Sequence, residues 1–155
     1  MPADKDVLLN EIRYAERLCQ RTARLYRRLQ SIGTFGTVLG GSAALTALSS
    51  SLPSWVSVSG AAVFTVFGAA MLAIRPADKA AANETDMRRY ATLRTEALAM
   101  DALALEVALN KARQGDAPEI EALREVAYND LMREIGQDGY AGKLSLQQRV
   151  IASLA

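Results

Sequence analysis

The chain has 155 residues with 18 basic and 17 acidic side chains, one cysteine and no histidine. The missing histidine removes the commonest general base and metal ligand. The lone Cys19 excludes an intramolecular disulfide, as suits a reducing compartment, and a net charge of +1 gives no reason to expect DNA duplex binding. A mean hydropathy of +0.05 with 23% charged residues resembles an ordinary soluble domain, but the charges are segregated: none falls from Leu29 to Ile74.

Residues 1–30 form the first region. An amphipathic helix is expected from about Lys5 to Gln30, with Leu8, Ile12, Ala15, Leu18, Thr22, Leu25 and Leu29 recurring at three- and four-residue steps. Arg13, Arg17, Arg21, Arg24 and Arg28 fill the other side at spacings of 4, 4, 3 and 4. Like charges one turn apart cost a helix about 0.2–0.5 kcal/mol per pair, so the stripe calls for an anionic counterpart. Three are open. Glu84, Asp86, Glu96, Asp101 and Glu106 of the next long helix can lie alongside. Anionic lipid headgroups are worth about 1 kcal/mol per basic residue. A phosphate-bearing ligand suits planar guanidinium groups. Arg17, Arg21, Arg24 and Arg28 are thus the candidate ligand-binding or regulatory residues. The charged, amphipathic start is not that of a secretory signal. With no proline between Pro2 and Pro53, the helix is free to run to Ser50, a rod of about 69 Å, or to bend at Gly33 and Gly36.

Residues 31–75 read as a transmembrane hairpin with spans at about 32–50 and 55–74, separated by the Pro53-containing turn. The uncharged run is twice the roughly 20 residues that one helical span needs. Burying two such helices on all faces of a soluble domain requires more surrounding chain than remains. Arginines and lysines flank both ends and none lies in the turn, so both termini are expected in the cytoplasm, with the protein in a bacterial inner membrane. Gly36, Gly40 and Ala44 form a small-residue packing face, and Ala61, Thr65, Ala69 and Ala73 repeat the spacing in the second span. Thr34, Thr37, Ser42, Thr46, Ser57, Ser59 and Thr65 are many hydroxyls for lipid-facing helices, which points to a homo-oligomer with hydroxyls turned inward. Thr34, Thr37, Gly41 and Ser42 are the candidate pore-lining residues. With no charged residue inside a span, a proton relay or coupled transporter has no ion site; a weakly polar pore is what remains.

Residues 76–155 are expected to be cytosolic helices. Pro76 disfavours α geometry at Arg75 and predicts a break. An alanine-rich helix is expected at about 77–113, with Leu98, Ala102, Leu105 and Leu109 on one face. Gly115 would end it and Asp116 would cap a second helix at about 117–135. Gly136, Gly139 and Gly142 mark a loop, and Ser145 with Gln148 forms a capping box for a last helix at about 145–154. The fold class is all-α. Glu96, Asp101 and Glu106 read as a solvated helix face, no phosphate loop or metal cluster is present, and neither an enzyme nor a cofactor is expected.

Order and spacing over nearly the whole chain resemble the SLATT family, the SMODS and SLOG-associating two-transmembrane effectors. The resemblance lies in Glu16-Arg17-Leu18-Cys19-Gln20-Arg21-Thr22-Ala23-Arg24, in Arg88-Arg89-Tyr90, and in Ala127-Tyr128-Asn129-Asp130-Leu131, arranged around two adjacent spans. It implies an oligomeric pore that perforates the membrane in antiphage defence, with no catalytic residues. It also implies control by a nucleotide or oligonucleotide signal made by a neighbouring nucleotidyltransferase, or by a partner protein. The alternatives are a holin-like phage pore and a non-conducting membrane anchor.

Overall fold

The computed structural model describes residues 4–49 and 53–155, all helix and loop with no strand among them. The helices are α1 (Lys5–Ser49), α2 (Ser54–Ile74), α3 (Pro76–Glu96), α4 (Ala102–Arg113), α5 (Arg124–Glu134) and α6 (Leu146–Leu154), with a 3-10 turn at Glu121–Leu123 and another at Asp138–Tyr140. The turn expected between the two apolar segments falls largely on residues 50–52, outside the described residues. The chain divides into two compact units, one of residues 1–25 with 79–155 and one of residues 26–78.

The first unit is built around the apolar face of α1. Leu8, Ile12, Leu18, Thr22 and Leu25 are buried, so the three- and four-residue periodicity is the burial pattern. Leu8 and Ile12 pack in a cluster with Tyr90, Leu93 and Ala97 from α3 and the turn after it, and with Leu105, Leu109 and Ala112 from α4.

The helix expected over 77–113 is two helices. The chain turns at 97–100, and the Asp101 side chain accepts the Ala104 N–H at 2.7 Å, capping a fresh start. The turn lets Leu105 and Leu109 fold back onto Leu93, which a straight helix would carry away from it. Leu98, expected on the same face, lies outside at 81% exposure.

Nor does Asp116 cap the next helix. Its carboxylate takes Arg89 and Tyr90 instead, and Asp86 accepts the Ala117 N–H at 2.8 Å. The helix expected at 117–135 begins only at Arg124, after the 3-10 turn. Gly115 is where Arg89 passes: a Cβ there would stand 2.7 Å from an Nη atom. Gly136 ends α5 with φ of 73°, a value glycine adopts without strain. Asn129, buried on α5, holds the following loop by both backbone groups of Gly142, at 2.8 and 2.9 Å. The capping box of Ser145 and Gln148 opens α6.

In the second unit α2 runs antiparallel to the later part of α1. Gly33 faces Met71, Gly36 faces the Phe67 ring, and Gly40 faces Gly60 and Phe64. α2 ends where Arg75 turns into the left-handed region at φ 51°, its N–H donating to the Met71 carbonyl at 3.0 Å, and Pro76 opens α3. Pro76 denies Arg75 the helical conformation, and the αL cap satisfies the helix end. By length and composition, the helical stretch Ser54–Glu96 contains an apolar segment long enough to cross a membrane.

Candidate functional site

The arginine stripe meets α5. Positions 17, 20, 21 and 24 share one face of α1 and positions 130, 133 and 134 share one face of α5, and together they line an open groove of about 440 Å³. Arg17 donates from Nε and Nη2 to Glu134 Oε2 at 3.1 and 2.8 Å, and from Nη1 to Gln20 Oε1 at 3.0 Å. The bond to Glu134 is the main reason the Arg17 pKa is raised, against the opposing cost of partial burial. Arg21 Nε donates to Asp130 Oδ2 at 2.8 Å. Arg24 and Arg133 are exposed and form no ion pair among the described residues. Arg28 belongs to the second unit.

Of the three counterparts open to the stripe, the chain itself supplies one for Arg17 and Arg21, from α5 rather than from the long helix that follows. Asp130 and Glu134 take the arginines. Asp86 is engaged by Arg89 instead, at 2.9 Å. α3 does reach α1, but through Arg94 to Glu16 at 3.1 Å, with the charges reversed. The sequence signal for α5 is the spacing of Asp130, Arg133 and Glu134 on one helical face. It does not identify them as the counterpart, because which helices neighbour α1 is a tertiary property.

Cys19 is free and half-buried. Burial, then the nearby Asp116 and Asp86 carboxylates, push its thiol up to about 12, so it stays protonated and a poor nucleophile at neutral pH. Tyr90 is buried, and its hydroxyl donates to Asp116 Oδ2 at 2.5 Å; burial and that bond raise its pKa. Tyr14 is raised too, by burial first and then by the charge of Glu119. The Tyr90 bond ties α3 to the chain after α4, and no metal-binding cluster of acidic, cysteine or histidine residues occurs among the described residues.

In the second unit the glycines of α1 meet Met71, Phe67 and Gly60 of α2, and many large apolar side chains lie outside. A Cβ on Gly60 would stand 2.8 Å from the Ala44 backbone N and 2.9 Å from the Gly40 carbonyl oxygen, so α1 and α2 touch backbone to backbone there. Gly36, Gly40 and Ala44 lie at this contact. Phe35, Leu45, Trp55, Val58, Val66 and Leu72 are all exposed. Ala61, Thr65, Ala69 and Ala73 face away from α1 as an exposed strip.

Thr37 and Gly41 are half-buried beside α2, with Gly41 near the Phe64 ring, whereas Thr34 and Ser42 are exposed. At about 100° per residue the four spread over about 140° of the helix, rather than along one line. The hydroxyls are also largely satisfied at home. Thr37 donates to the Gly33 carbonyl at 2.9 Å, Thr46 to Ser42 at 2.8 Å, Ser59 to Val56 at 3.1 Å and Thr65 to Ala61 at 2.8 Å. Such back-bonding spares a buried hydroxyl an external partner, so their number alone does not demand a polar interior. Comparison of the chain with protein-family models, curated proteins and solved structures finds no match.

Proposed function

We propose that the chain is a two-span bacterial inner-membrane protein with both termini in the cytoplasm, which assembles with copies of itself into a gated ion pore. The observation that carries the membrane reading is the outer surface of the second unit, where Phe35, Leu45, Trp55, Val58, Val66 and Leu72 are exposed around a close, glycine-lined contact of α1 with α2. In water that surface costs about 25 cal/mol per Å² exposed; in lipid it costs nothing, and close backbone packing holds the helices instead. The flanking arginines and lysines orient both ends inward. The outward strip of Ala61, Thr65, Ala69 and Ala73 offers a second copy the same close approach that Gly40 and Gly60 make within the chain.

The antiphage role is supported by the resemblance of residues 16–24, 88–90 and 127–131 to the SLATT effectors. A non-conducting anchor is the second reading, favoured by the back-bonded hydroxyls. Thr37→Leu with Ser42→Leu separates the two in liposomes loaded with a pH- or potassium-sensitive dye. A pore leaks ions as the native chain and loses flux in the variant. An anchor is impermeant in both.

A further inference from the structure

Four guanidinium groups converge on the groove between α1 and α5, and two carboxylates answer them. We propose that this groove binds a phosphate group, held by Arg24, Arg133 and the Nη groups of Arg21, with Asp130 and Glu134 as competing internal anions. The assignment rests on the regulatory reading of the arginine stripe and adds the site's composition and ligand chemistry.

The surplus of positive charge is local. The unit that contains the groove holds fifteen basic and sixteen acidic side chains, so its overall balance is slightly negative. Elsewhere in it arginines meet carboxylates: Arg89 with Asp86 and Asp116, Arg94 with Glu16, Arg113 with Glu11, and Arg124 with Glu119. Arg13, Arg88 and Arg149 also have no ion-pair partner among the described residues, but the groove sets two such arginines side by side. Arg24 and Arg133 stand in it with no ion-pair partner among the described residues, and Arg21 spends only Nε on Asp130. Each guanidinium carries five N–H donors in a planar fork that matches phosphate oxygens. Bringing such groups together in one concavity is unfavourable until an anion enters.

The lining contains no aromatic side chain. Recognition is therefore through phosphate charge rather than base stacking, and the same chemistry serves a soluble phosphate compound or a phospholipid headgroup. Asp130 and Glu134 set a threshold. An incoming phosphate competes with them for Arg21 and Arg17, so removing a carboxylate tightens binding, whereas in a purely structural ion pair it could only weaken the fold.

The test uses the full chain in nanodiscs. In neutral phosphatidylcholine discs, ATP and inorganic pyrophosphate are titrated by calorimetry at low salt. In parallel, the melting temperature of the chain is compared between phosphatidylcholine discs and discs containing phosphatidylglycerol. Saturable binding in neutral discs assigns a soluble ligand; stabilisation by phosphatidylglycerol alone assigns a headgroup. Arg24→Gln with Arg133→Gln lowers the affinity by about tenfold for each guanidinium–phosphate hydrogen bond removed. In the lipid arm it abolishes the stabilisation. Neither arginine braces a carboxylate among the described residues, so the variant folds. Glu134→Gln strengthens binding, and Lys111→Gln with Lys143→Gln, which removes equal charge elsewhere, leaves it unchanged. Absence of both binding and stabilisation overturns the assignment, as does native behaviour of the double arginine variant. Because the readout is binding rather than flux, a non-conducting chain that binds phosphate would sink the pore and leave this site standing.

Discussion

Replacing Arg89 with methionine removes one cation from between two carboxylates. Arg89 Nη2 donates to Asp86 Oδ1 at 2.9 Å and to Asp116 Oδ1 at 2.6 Å. The Asp86 side chain is 7% exposed, that of Asp116 22% and that of Arg89 37%. The carboxylates also hold the Ala117 N–H and the Tyr90 hydroxyl, so this cluster ties α3 to the chain between α4 and α5. Breaking a fully buried pair from one side costs about 3–5 kcal/mol. The partial exposure of Arg89 and Asp116 lets water screen part of that, which brings the expected loss to about 2–3 kcal/mol. For a unit of roughly 100 residues each kcal/mol is worth about 4–8 °C, so thermal unfolding followed by circular dichroism in detergent should show a drop of roughly 10–20 °C. An unchanged melting temperature would refute the view that this cluster holds the unit together.

Gly60→Leu should drive α1 and α2 apart, since even a Cβ there meets backbone at 2.8 Å; overpacking of this kind costs about 1–3 kcal/mol. Hydrogen exchange of α2 amides should accelerate, while Gly68→Ala, with nothing within 4 Å of a new Cβ, should be silent; equal behaviour of the two contradicts the close approach of the helices. Asn129→Ala removes both bonds to Gly142 and should cost about 1–3 kcal/mol, read as a lower melting temperature; no change would mean the loop is held by other means. Cys19 should resist iodoacetamide at pH 8 in the native chain and react readily once unfolded. Its folded pKa of about 12 lies above the ordinary 9.0, so the stability it contributes is fully present below about pH 9 and is lost as pH rises toward 12. Ready alkylation of the folded chain would contradict its burial.

The helical fold is legible in the sequence because its signals are local. Leu8, Ile12, Leu18 and Leu25 announce the buried face of α1 at a fixed step, Pro76 marks the break at Arg75, and Ser145 with Gln148 starts α6. Sequence and structure part company at groups with two uses. Asp101 reads as part of a solvated face but caps α4, and Asp116 reads as a cap but serves Arg89 and Tyr90. A short polar side chain satisfies a helix end or a cation equally well, and only the fold decides which is near. The groove shows the same limit. Its α1 half is visible as a stripe of arginines, but Arg133, Asp130 and Glu134 join it only because α5 lies alongside. The hydroxyls show a different limit: composition counts them, and only geometry shows Thr37, Thr46, Ser59 and Thr65 bonded to their own helices.

Current recorded across a voltage-clamped planar bilayer, with the purified full-length chain as the sole protein, tests the central claim most directly. Discrete conductance steps that disappear in Thr37→Leu with Ser42→Leu are the predicted result. A silent bilayer into which the protein has demonstrably inserted, with ATP, pyrophosphate and phosphatidylglycerol each supplied, would contradict it.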